Sequence, residues 1–197
     1  MFIANQTRFL AAVFLLSVAA WQQPAQAQTS LTTTDLVRSL TGLQDTANVD
    51  VAAFRRMAEE RARQPDGNAV NRPPIAQQLY NLPQLTLQIE FNFDSAIIKP
   101  SSYPALGRIA DTLYHPYLLG YRFLVVGHTD AKGKRTYNLK LSQERADAIR
   151  EALVTTFRID PRRLLSVGLG EEQLQDPKHP DAAVNRRVQI VTIGKMN

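Results

Sequence analysis

Residues 85–93 alternate strictly between apolar and polar side chains. The apolar members are Leu85, Leu87, Ile89, Phe91 and Phe93. Successive side chains of an extended strand point to opposite faces, so this period of two gives the strand one apolar face. The pattern predicts a β-strand across the whole stretch, at the start of a compact C-terminal domain, residues 83–197.

The segments after this strand show helical and strand patterns in turn. A helix is predicted after Pro100, where apolar residues recur every three to four positions, and a longer one over residues 135–157. Runs of β-branched and aromatic residues predict strands at 122–126, 164–167 and 187–193. The order β-α-β-α-β-β predicts an α+β fold, a two-layer sandwich whose mixed sheet has its helices packed on one face.

Residues 1–27 have the three parts of a secretory signal peptide. Arg8 precedes an apolar run from Phe9 to Ala20, and the polar stretch that follows ends in Ala25-Gln26-Ala27. The apolar run is shorter than the roughly 20 residues that a membrane-spanning helix needs. A buried N-terminal helix is the alternative, but the order of the three parts favours export and a mature chain that starts near Gln28.

Residues 28–82 are predicted to form a separate helical and linker segment. Apolar spacing indicates a short helix over 34–43, capped by Thr34, and a second helix capped by Asp50. Residues 65–74 have the proline, glycine and asparagine content of a linker. The segment is too small to bury a sizeable core alone. It is either a docking segment for envelope proteins or a partly ordered spacer, and the composition favours the spacer.

The chain carries a formal net charge of +5 and contains no cysteine. In a cytosolic protein such an excess of basic residues would suggest nucleic acid as a partner. Export argues against nucleic acid and leaves a surface suited to anionic lipid, to carboxylate-rich wall polymer or simply to water. Without cysteine we expect neither a disulfide framework nor the acylated cysteine of a lipoprotein.

The clearest functional signal is the polar stretch at residues 127–146. Asp130 follows a predicted strand, and Asn138 and Arg145 lie seven residues apart on the predicted helix. Seven residues are nearly two turns, so both side chains project from one face, about 10 Å apart along the axis. Asp130 and Arg145 could hold a ligand with an ammonium and a carboxylate, since a guanidinium binds a carboxylate through two hydrogen bonds. From spacing alone, however, charges that pair with each other or face water are the commoner arrangement.

Four segments together resemble one known family. They are, in chain order, FNFDSA at 91–96, TDAKG at 129–133, YNLKLSQERA at 137–146 and NRRV at 185–188. The set is similar to the C-terminal domain of OmpA, which also occurs in Pal-type lipoproteins and in the MotB stator protein. Each motif alone is weak, whereas the ordered set is specific.

The resemblance implies a domain that is not an enzyme and binds peptidoglycan without a covalent bond, through the diaminopimelate of the stem peptide. It also implies that Asp130 and Arg145 hold the ammonium and carboxylate ends of that residue. The positions that it places at the same pocket are Asn138, Thr129, Asp94, Arg186 and, less closely, Ser95. The localisation that it implies, together with export, is the periplasm, in association with the cell wall and near the outer membrane.

Other matched residues are expected to be structural. Tyr137, Leu141 and Ala146 should pack the long helix onto the sheet. Gly168 and Gly170 should shape the turn after the third strand. Arg187 should point away from Arg186, because neighbours on a strand face opposite sides. Residues 171–183 match the family only loosely, which leaves the rim of the pocket undefined.

Other site chemistries fit the sequence poorly. The three histidines lack metal-ligand spacing, and Gly127 and Gly133 do not fit a phosphate loop, so we expect no metal and no cofactor. A hydrolytic triad of His128, Asp130 and Ser142 can be written, but nothing places Ser142 on a nucleophile elbow, and a serine on the helix surface is the simpler interpretation. A cell-wall hydrolase is therefore the rival from another class. The rival within the family is a peptidoglycan anchor of a motor or secretion complex.

Overall fold

The computed structural model describes residues 32–42, 49–65 and 72–196, so the predicted signal peptide and most of the predicted linker lie outside the described residues. The helices are α1, Thr33–Leu40; α2, Val51–Ala62; α3, Tyr103–Leu113; and α4, Arg135–Thr155. The strands are β1, Gln84–Leu87; β2, Tyr121–His128; β3, Leu164–Gly170; and β4, Val188–Lys195. None of the helices within these ranges combines the length and the apolar character that a membrane crossing requires.

The strands form one four-stranded mixed sheet in the order β1-β4-β2-β3. β2 and β3 are parallel, whereas β4 runs antiparallel to both of its neighbours. α4 provides the crossover between the two parallel strands, as a parallel connection requires. The predicted α+β class, element order and mixed sheet are confirmed.

The two N-terminal helices begin at capping residues. Thr32 and Asp35 form a capping box, in which each side chain accepts a hydrogen bond from the backbone nitrogen of the other. Asp50 caps α2, as predicted, by accepting from the backbone nitrogen of Ala53 at 2.8 Å. The cap of α1 is therefore Thr32 and not the predicted Thr34, which lies within the first turn.

One face of the sheet is covered by α1, α3 and α4. Phe123 and Val125 of β2 and Ile190 of β4 point into this layer and are fully buried. The helices contribute the buried residues Leu36, Leu40, Leu106, Ile109, Leu113, Ile149 and Leu153. The two helices predicted for the C-terminal domain thus lie on the same face, as expected.

The opposite face is covered by the N-terminal segment. Leu124 and Val126, which alternate with the residues of the first face, pack with Phe54 and Ala58 of α2 and with Leu79. Phe54 is only 2% exposed, so the partly ordered spacer that the composition favours does not describe α2. The continuous apolar run in β2 is typical of a strand buried on both faces. α2 therefore adds a third layer to the two that were predicted.

β1 is shorter than the predicted strand. It pairs with β4 from Gln84 to Leu87, where Leu87 lies opposite Val188. Beyond Leu87 the described chain forms a single isolated bridge at Phe91, and Phe93 is fully exposed. The prediction of a strand through residue 93 is wrong because β4 begins only at Val188 and offers no partner to the later residues.

Two glycines let α4 approach the sheet closely. A Cβ atom at Gly168 would lie 2.2 Å from the backbone nitrogen of Gln143, and one at Gly127 would lie 2.3 Å from the carbonyl oxygen of Ser142. Gly168 lies inside β3 and Gly170 is its last residue. The prediction that both glycines shape a turn after the strand is therefore wrong. The close approach of backbone to backbone is the physical reason for glycine at positions 127 and 168.

A buried ionic cluster joins the N-terminal segment to the start of α4. Glu172 accepts two hydrogen bonds from Arg135, at 2.9 and 2.7 Å, and Arg135 also donates to the carbonyl oxygen of Gln64 at 3.2 Å. The neighbouring Glu171 accepts from Arg72 at 2.9 Å. Both glutamates are buried, and a buried charge needs such a partner to offset its desolvation.

Candidate functional site

The loop after β2 carries Asp130 to the end of the strand. Asp130 is 8% exposed. Its carboxylate accepts a hydrogen bond from the backbone nitrogen of Lys132 at 3.2 Å and one from Arg186 Nη1 at 2.6 Å. Arg186 immediately precedes Arg187 and β4, the strand that lies beside β2. The predicted acid is therefore held in place by an arginine more than fifty residues away in sequence.

Asn138 fixes the loop and does not line an open cleft. It lies in the first turn of α4 and is 4% exposed. Its side-chain nitrogen lies 3.0 Å from the carbonyl oxygen of Lys132, 3.3 Å from that of Asp130 and 2.7 Å from Glu171 Oε2. These acceptors occupy the hydrogen-bond donors of Asn138, and its place in the implied pocket stays a prediction. Asn138 holds the loop of Asp130 against the segment after β3.

Thr129 is also buried. It is 3% exposed, and its backbone nitrogen donates to the carbonyl oxygen of Gly170 at 3.0 Å. Its hydroxyl has no hydrogen-bond partner within the described parts of the chain. Like Asn138, Thr129 lies beneath Asp130 and helps to anchor the loop.

Arg145 projects from the middle of α4 toward the chain that follows β1. Its Nε donates to the carbonyl oxygen of Ser95 at 3.0 Å, and its guanidinium carbon lies 4.8 Å from the centre of the Phe91 ring. The two terminal nitrogens of Arg145 have no hydrogen-bond or ion-pair partner in the described ranges. Arg145 and Asp130 do not pair with each other, contrary to the simplest expectation from their spacing.

The electrostatic environment of Arg145 is mixed. Burial lowers the pKa of Arg145 from its ordinary value, and the nearby Arg186 lowers it further, whereas Tyr137, Asp130 and Asp94 raise it. Arginine remains protonated under such conditions. The result is a partly desolvated cation whose forked end is free to accept an anionic group, and a guanidinium in this state binds a carboxylate well.

Asp94 and Ser95, in the chain that follows β1, lie next to Arg145 at the rim of the candidate site. Asp94 is exposed, has the left-handed φ of 52° that aspartate tolerates, and accepts a short hydrogen bond from the hydroxyl of Tyr137. Hydrogen bonding to Asp94 raises the pKa of Tyr137. Ser95 contributes its carbonyl oxygen, while its hydroxyl accepts from the backbone nitrogen of Ile97 at 2.9 Å. Tyr137 is 43% exposed and belongs to this rim, so the expectation that it packs the helix onto the sheet is wrong.

Arg186 and Arg187 differ in exposure. The Arg186 side chain is 49% exposed, whereas Arg187 is buried and donates to the carbonyl oxygen of Gln173 at 3.0 Å. Burial lowers the pKa of Arg187 to about 10, although the nearby Tyr80 opposes the shift. Arg187 supports the fold, and Arg186 serves the site.

A cleft of about 350 Å³ opens between Arg145 and Arg186. Its lining is Gln88, Ile89, Glu90, Phe91, Lys99, Arg145, Ala183 and Arg186. Asp130 does not line this cleft itself, but it contacts Arg186, which does. Two arginines and a lysine against one glutamate make the lining basic, which favours a ligand that carries carboxylates. Another cavity, of about 340 Å³, lies between α2 and α4 and holds none of the predicted site residues.

The alternative hydrolytic triad is not assembled. Ser142 is fully buried, and its hydroxyl donates to the carbonyl oxygen of Leu139 and accepts from the backbone nitrogen of Gly170, both at 2.8 Å. His128 contacts Gln189 at 2.7 Å, and burial together with Arg187 holds the pKa of His128 well below its ordinary value. Ser142 therefore secures β3 and is not a serine on the helix surface. The described residues contain no acidic, histidine or cysteine cluster that could hold a metal.

Several residues of the site escaped the sequence analysis. Phe91, Ile89 and Lys99 form its walls because the chain leaves the sheet after β1, which the strand pattern did not indicate. Glu171 orders Asn138, although its segment matches the family only loosely. Of these residues only Phe91 lies in the FNFDSA motif, and the alternating pattern that includes Ile89 and Phe91 predicted a strand and not a cleft wall.

Comparisons with known proteins place the same region in context. Residues 90–187 match the model described as the OmpA family. Outer membrane porin F of Pseudomonas fluorescens is 36% identical over 118 residues, which are 59% of this chain and 34% of the porin. The peptidoglycan-associated lipoprotein of Pseudomonas aeruginosa is 35% identical over 102 residues, 51% of this chain and 58% of the lipoprotein. The chain thus spans about a third of the length of the porin F relatives that it matches.

A solved structure resembles the same part of the chain. The peptidoglycan-associated lipoprotein from Burkholderia pseudomallei is 32% identical, and the match covers 53% of this chain and 87% of that chain with a TM-score of 0.44.

Proposed function

We propose that this chain, whose residues 90–187 form a domain of the OmpA family, binds peptidoglycan non-covalently through the diaminopimelate of its stem peptide. The observation that carries the proposal is the free end of the Arg145 guanidinium, which lies in a basic cleft together with Arg186, the partner of Asp130. Related domains occur in proteins named peptidoglycan-associated lipoproteins, and the family is of a structural, non-catalytic type.

The chemistry of the site suits the two ends of diaminopimelate. Arg145 would bind a carboxylate through its terminal nitrogens, which have no other acceptor in the described ranges. Asp130 would bind the ammonium group, because one arginine and one backbone nitrogen leave part of its acceptor capacity unused. Arg186 holds Asp130 in position and is exposed enough to reach a second carboxylate.

The expected affinity of one site is modest. Each charge-assisted contact contributes about 1.5–3 kcal/mol. Two or three such contacts, less the cost of association, correspond to roughly micromolar to millimolar dissociation constants. A wall polymer displays many copies of the stem peptide, so weak single-site binding is sufficient for stable retention.

A pull-down with purified cell-wall sacculi tests the proposal. Asp130→Ala and Arg145→Ala should fold as the wild type does but lose retention on the sacculi. Matched controls are Asp111→Ala and Arg108→Ala, which remove the same charges from exposed positions on α3 and should leave retention unchanged. Circular dichroism and thermal unfolding confirm that each variant is folded. Undiminished retention of both site variants would refute the assignment.

The same incubation separates a binding domain from a wall hydrolase. We expect no soluble wall fragments, because the Ser142 hydroxyl is buried and already forms two hydrogen bonds. Fragments whose release depends on His128 or Ser142 would favour the hydrolase instead.

We further propose that the protein acts in the periplasm after removal of residues 1–27. N-terminal sequencing of the protein from a periplasmic extract should then begin at Gln28. An envelope partner for residues 28–82 would have to contact the polar faces of α1 and α2, because their apolar faces are buried against the sheet.

A further inference from the structure

The chain that forms β1 continues past Leu87 with an unpaired edge. Leu87 lies opposite Val188 in the antiparallel pairing with β4, so two residues further on the same register would pair Ile89 with Arg186. Arg186 instead donates its backbone nitrogen to the carbonyl oxygen of Ala183 at 3.0 Å. The two chains therefore part at this point, and a gap opens between them.

The register shows which backbone groups face the gap. Thr192 donates its backbone nitrogen to the carbonyl oxygen of Pro83 at 2.8 Å, so odd-numbered residues of this chain direct their backbone groups toward β4. Glu90 faces the other way, since its carbonyl oxygen accepts from Lys99 at 2.9 Å and its nitrogen donates to the Ser102 hydroxyl at 2.8 Å. Ile89 is next in the odd series, and neither its N–H nor its C=O has a partner in the described parts of the chain.

This edge is one wall of the cleft that contains the site. Ile89 and Phe91 lie on the wall, and Ala183, Arg145 and Arg186 complete the lining. A peptide that runs through the cleft would thus meet unpaired main-chain groups next to the two arginines. Such an edge can accept an extended peptide as an added strand, with affinity from main-chain hydrogen bonds.

We propose that the stem peptide joined to the diaminopimelate adds a short strand at Ile89, with a peptide N–H bound to the carbonyl oxygen of Ile89 and a peptide C=O bound to its N–H. The inference rests on the proposed function, because Arg145 and Arg186 place the diaminopimelate in this cleft. The site then recognises a peptide main chain in addition to the charged ends of one amino acid.

Two ligands distinguish this inference from the proposed function. Free meso-diaminopimelate carries both ammonium and both carboxylate groups, whereas in the tripeptide L-Ala-γ-D-Glu-meso-diaminopimelate one amine is part of a peptide bond and the D-glutamate adds a carboxylate. Two additional main-chain hydrogen bonds should make the tripeptide bind roughly ten-fold more tightly to the wild type, as measured by calorimetry. The same tripeptide with a methyl group on the amide nitrogen next to the diaminopimelate should lose most of that advantage. The N-methylated tripeptide has the same charges as the tripeptide, so it isolates the main-chain contribution.

Two variants at one position test the protein side. Ile89→Pro removes the N–H, which forms no bond in the described fold, and should abolish the preference for the tripeptide, measured as the ratio of its affinity to that for free diaminopimelate. Ile89→Ala truncates the same side chain but keeps the N–H, and should retain the preference. If Ile89→Pro fails to fold, the affinity of the wild type for the methylated tripeptide tests the added strand without any variant.

The added strand and the proposed function fail on different results. Equal affinity of the wild type for the tripeptide and the free amino acid, or full affinity for the methylated tripeptide, would overturn the strand addition and leave the proposed function standing. Failure of both ligands to bind the wild type would refute the proposed function and this inference with it.

Discussion

Replacement of Glu172 by glutamine tests the ionic cluster that joins the N-terminal segment to the site. The Glu172 side chain is 1% exposed and that of Arg135 is 6% exposed, with 2.7 Å between Oε2 and Nη2. Glutamine keeps the volume but removes the charge, so the buried ion pair between Arg135 and Glu172 is lost. Breaking a buried pair in this way costs about 3–5 kcal/mol of the free energy of unfolding.

The loss should be visible in thermal and urea unfolding. For a domain of this size each kcal/mol lowers the melting temperature by roughly 2–4 °C, so we expect a fall of about 6–20 °C. The control is Glu151→Gln, which makes the same change at an exposed position on α4 and should alter the free energy of unfolding by less than about 0.5 kcal/mol.

A double variant sharpens the test. Arg135→Met combined with Glu172→Leu removes both charges of this pair and should recover part of the stability lost in Glu172→Gln. A wild-type melting temperature for Glu172→Gln would refute the reasoning, because it would mean that Arg135 does not depend on this carboxylate.

Three further changes examine the packing and the pH response. Gly168→Ala should lower the free energy of unfolding by about 1–3 kcal/mol, because the new Cβ would lie 2.2 Å from a backbone nitrogen of α4. The control is Gly120→Ala, whose Cβ would have no atom within 4 Å. Urea unfolding compares the two variants, and equal stability would contradict the close approach of α4 to β3. Phe54→Ala should cost about 3–5 kcal/mol in the same assay, unlike Met57→Ala on the exposed side of α2, and a neutral Phe54→Ala would mean that α2 does not cover the sheet. Burial holds the pKa of His128 well below its ordinary value, so below about pH 6.5 the unfolded chain binds a proton that the folded chain does not. Stability should therefore be complete above about pH 6.5 and fall by up to about 1.4 kcal/mol per pH unit below it. The free energy of unfolding of His128→Gln should depend less steeply on pH over this range than that of the wild type. An equal dependence would mean that a group other than His128 causes it.

Local sequence patterns predicted the structure correctly where residues nearby in sequence determine the environment of a side chain. The apolar alternation at the C-terminal end predicted a strand over 187–193, and β4 spans Val188–Lys195. Asp50 was recognised as a cap because the cap and the nitrogen that it binds are three residues apart. The choice of Asp130 and Arg145 depended on motif order, and their binding role remains a prediction.

Patterns failed where a partner distant in sequence decides the outcome. Residues 85–93 alternate throughout, but only the portion opposite β4 forms a strand. The sequence did not indicate that Asn138 contacts Glu171, which lies more than thirty residues later. Tyr137 was assigned to the core, whereas Asp94 holds it at the rim.

The sequence by itself determined the class of the fold and the order of its elements, because hydrophobic period and capping act within a few residues of the chain. Only the tertiary structure decided that α2 covers the second face of the sheet, because the apolar run in β2 predicts burial on both faces but not which element packs there. It also decided that Asp130 is held by Arg186 while the end of Arg145 stays free. Ion pairs and clefts depend on distances between strands, and those distances exist only once the sheet has formed.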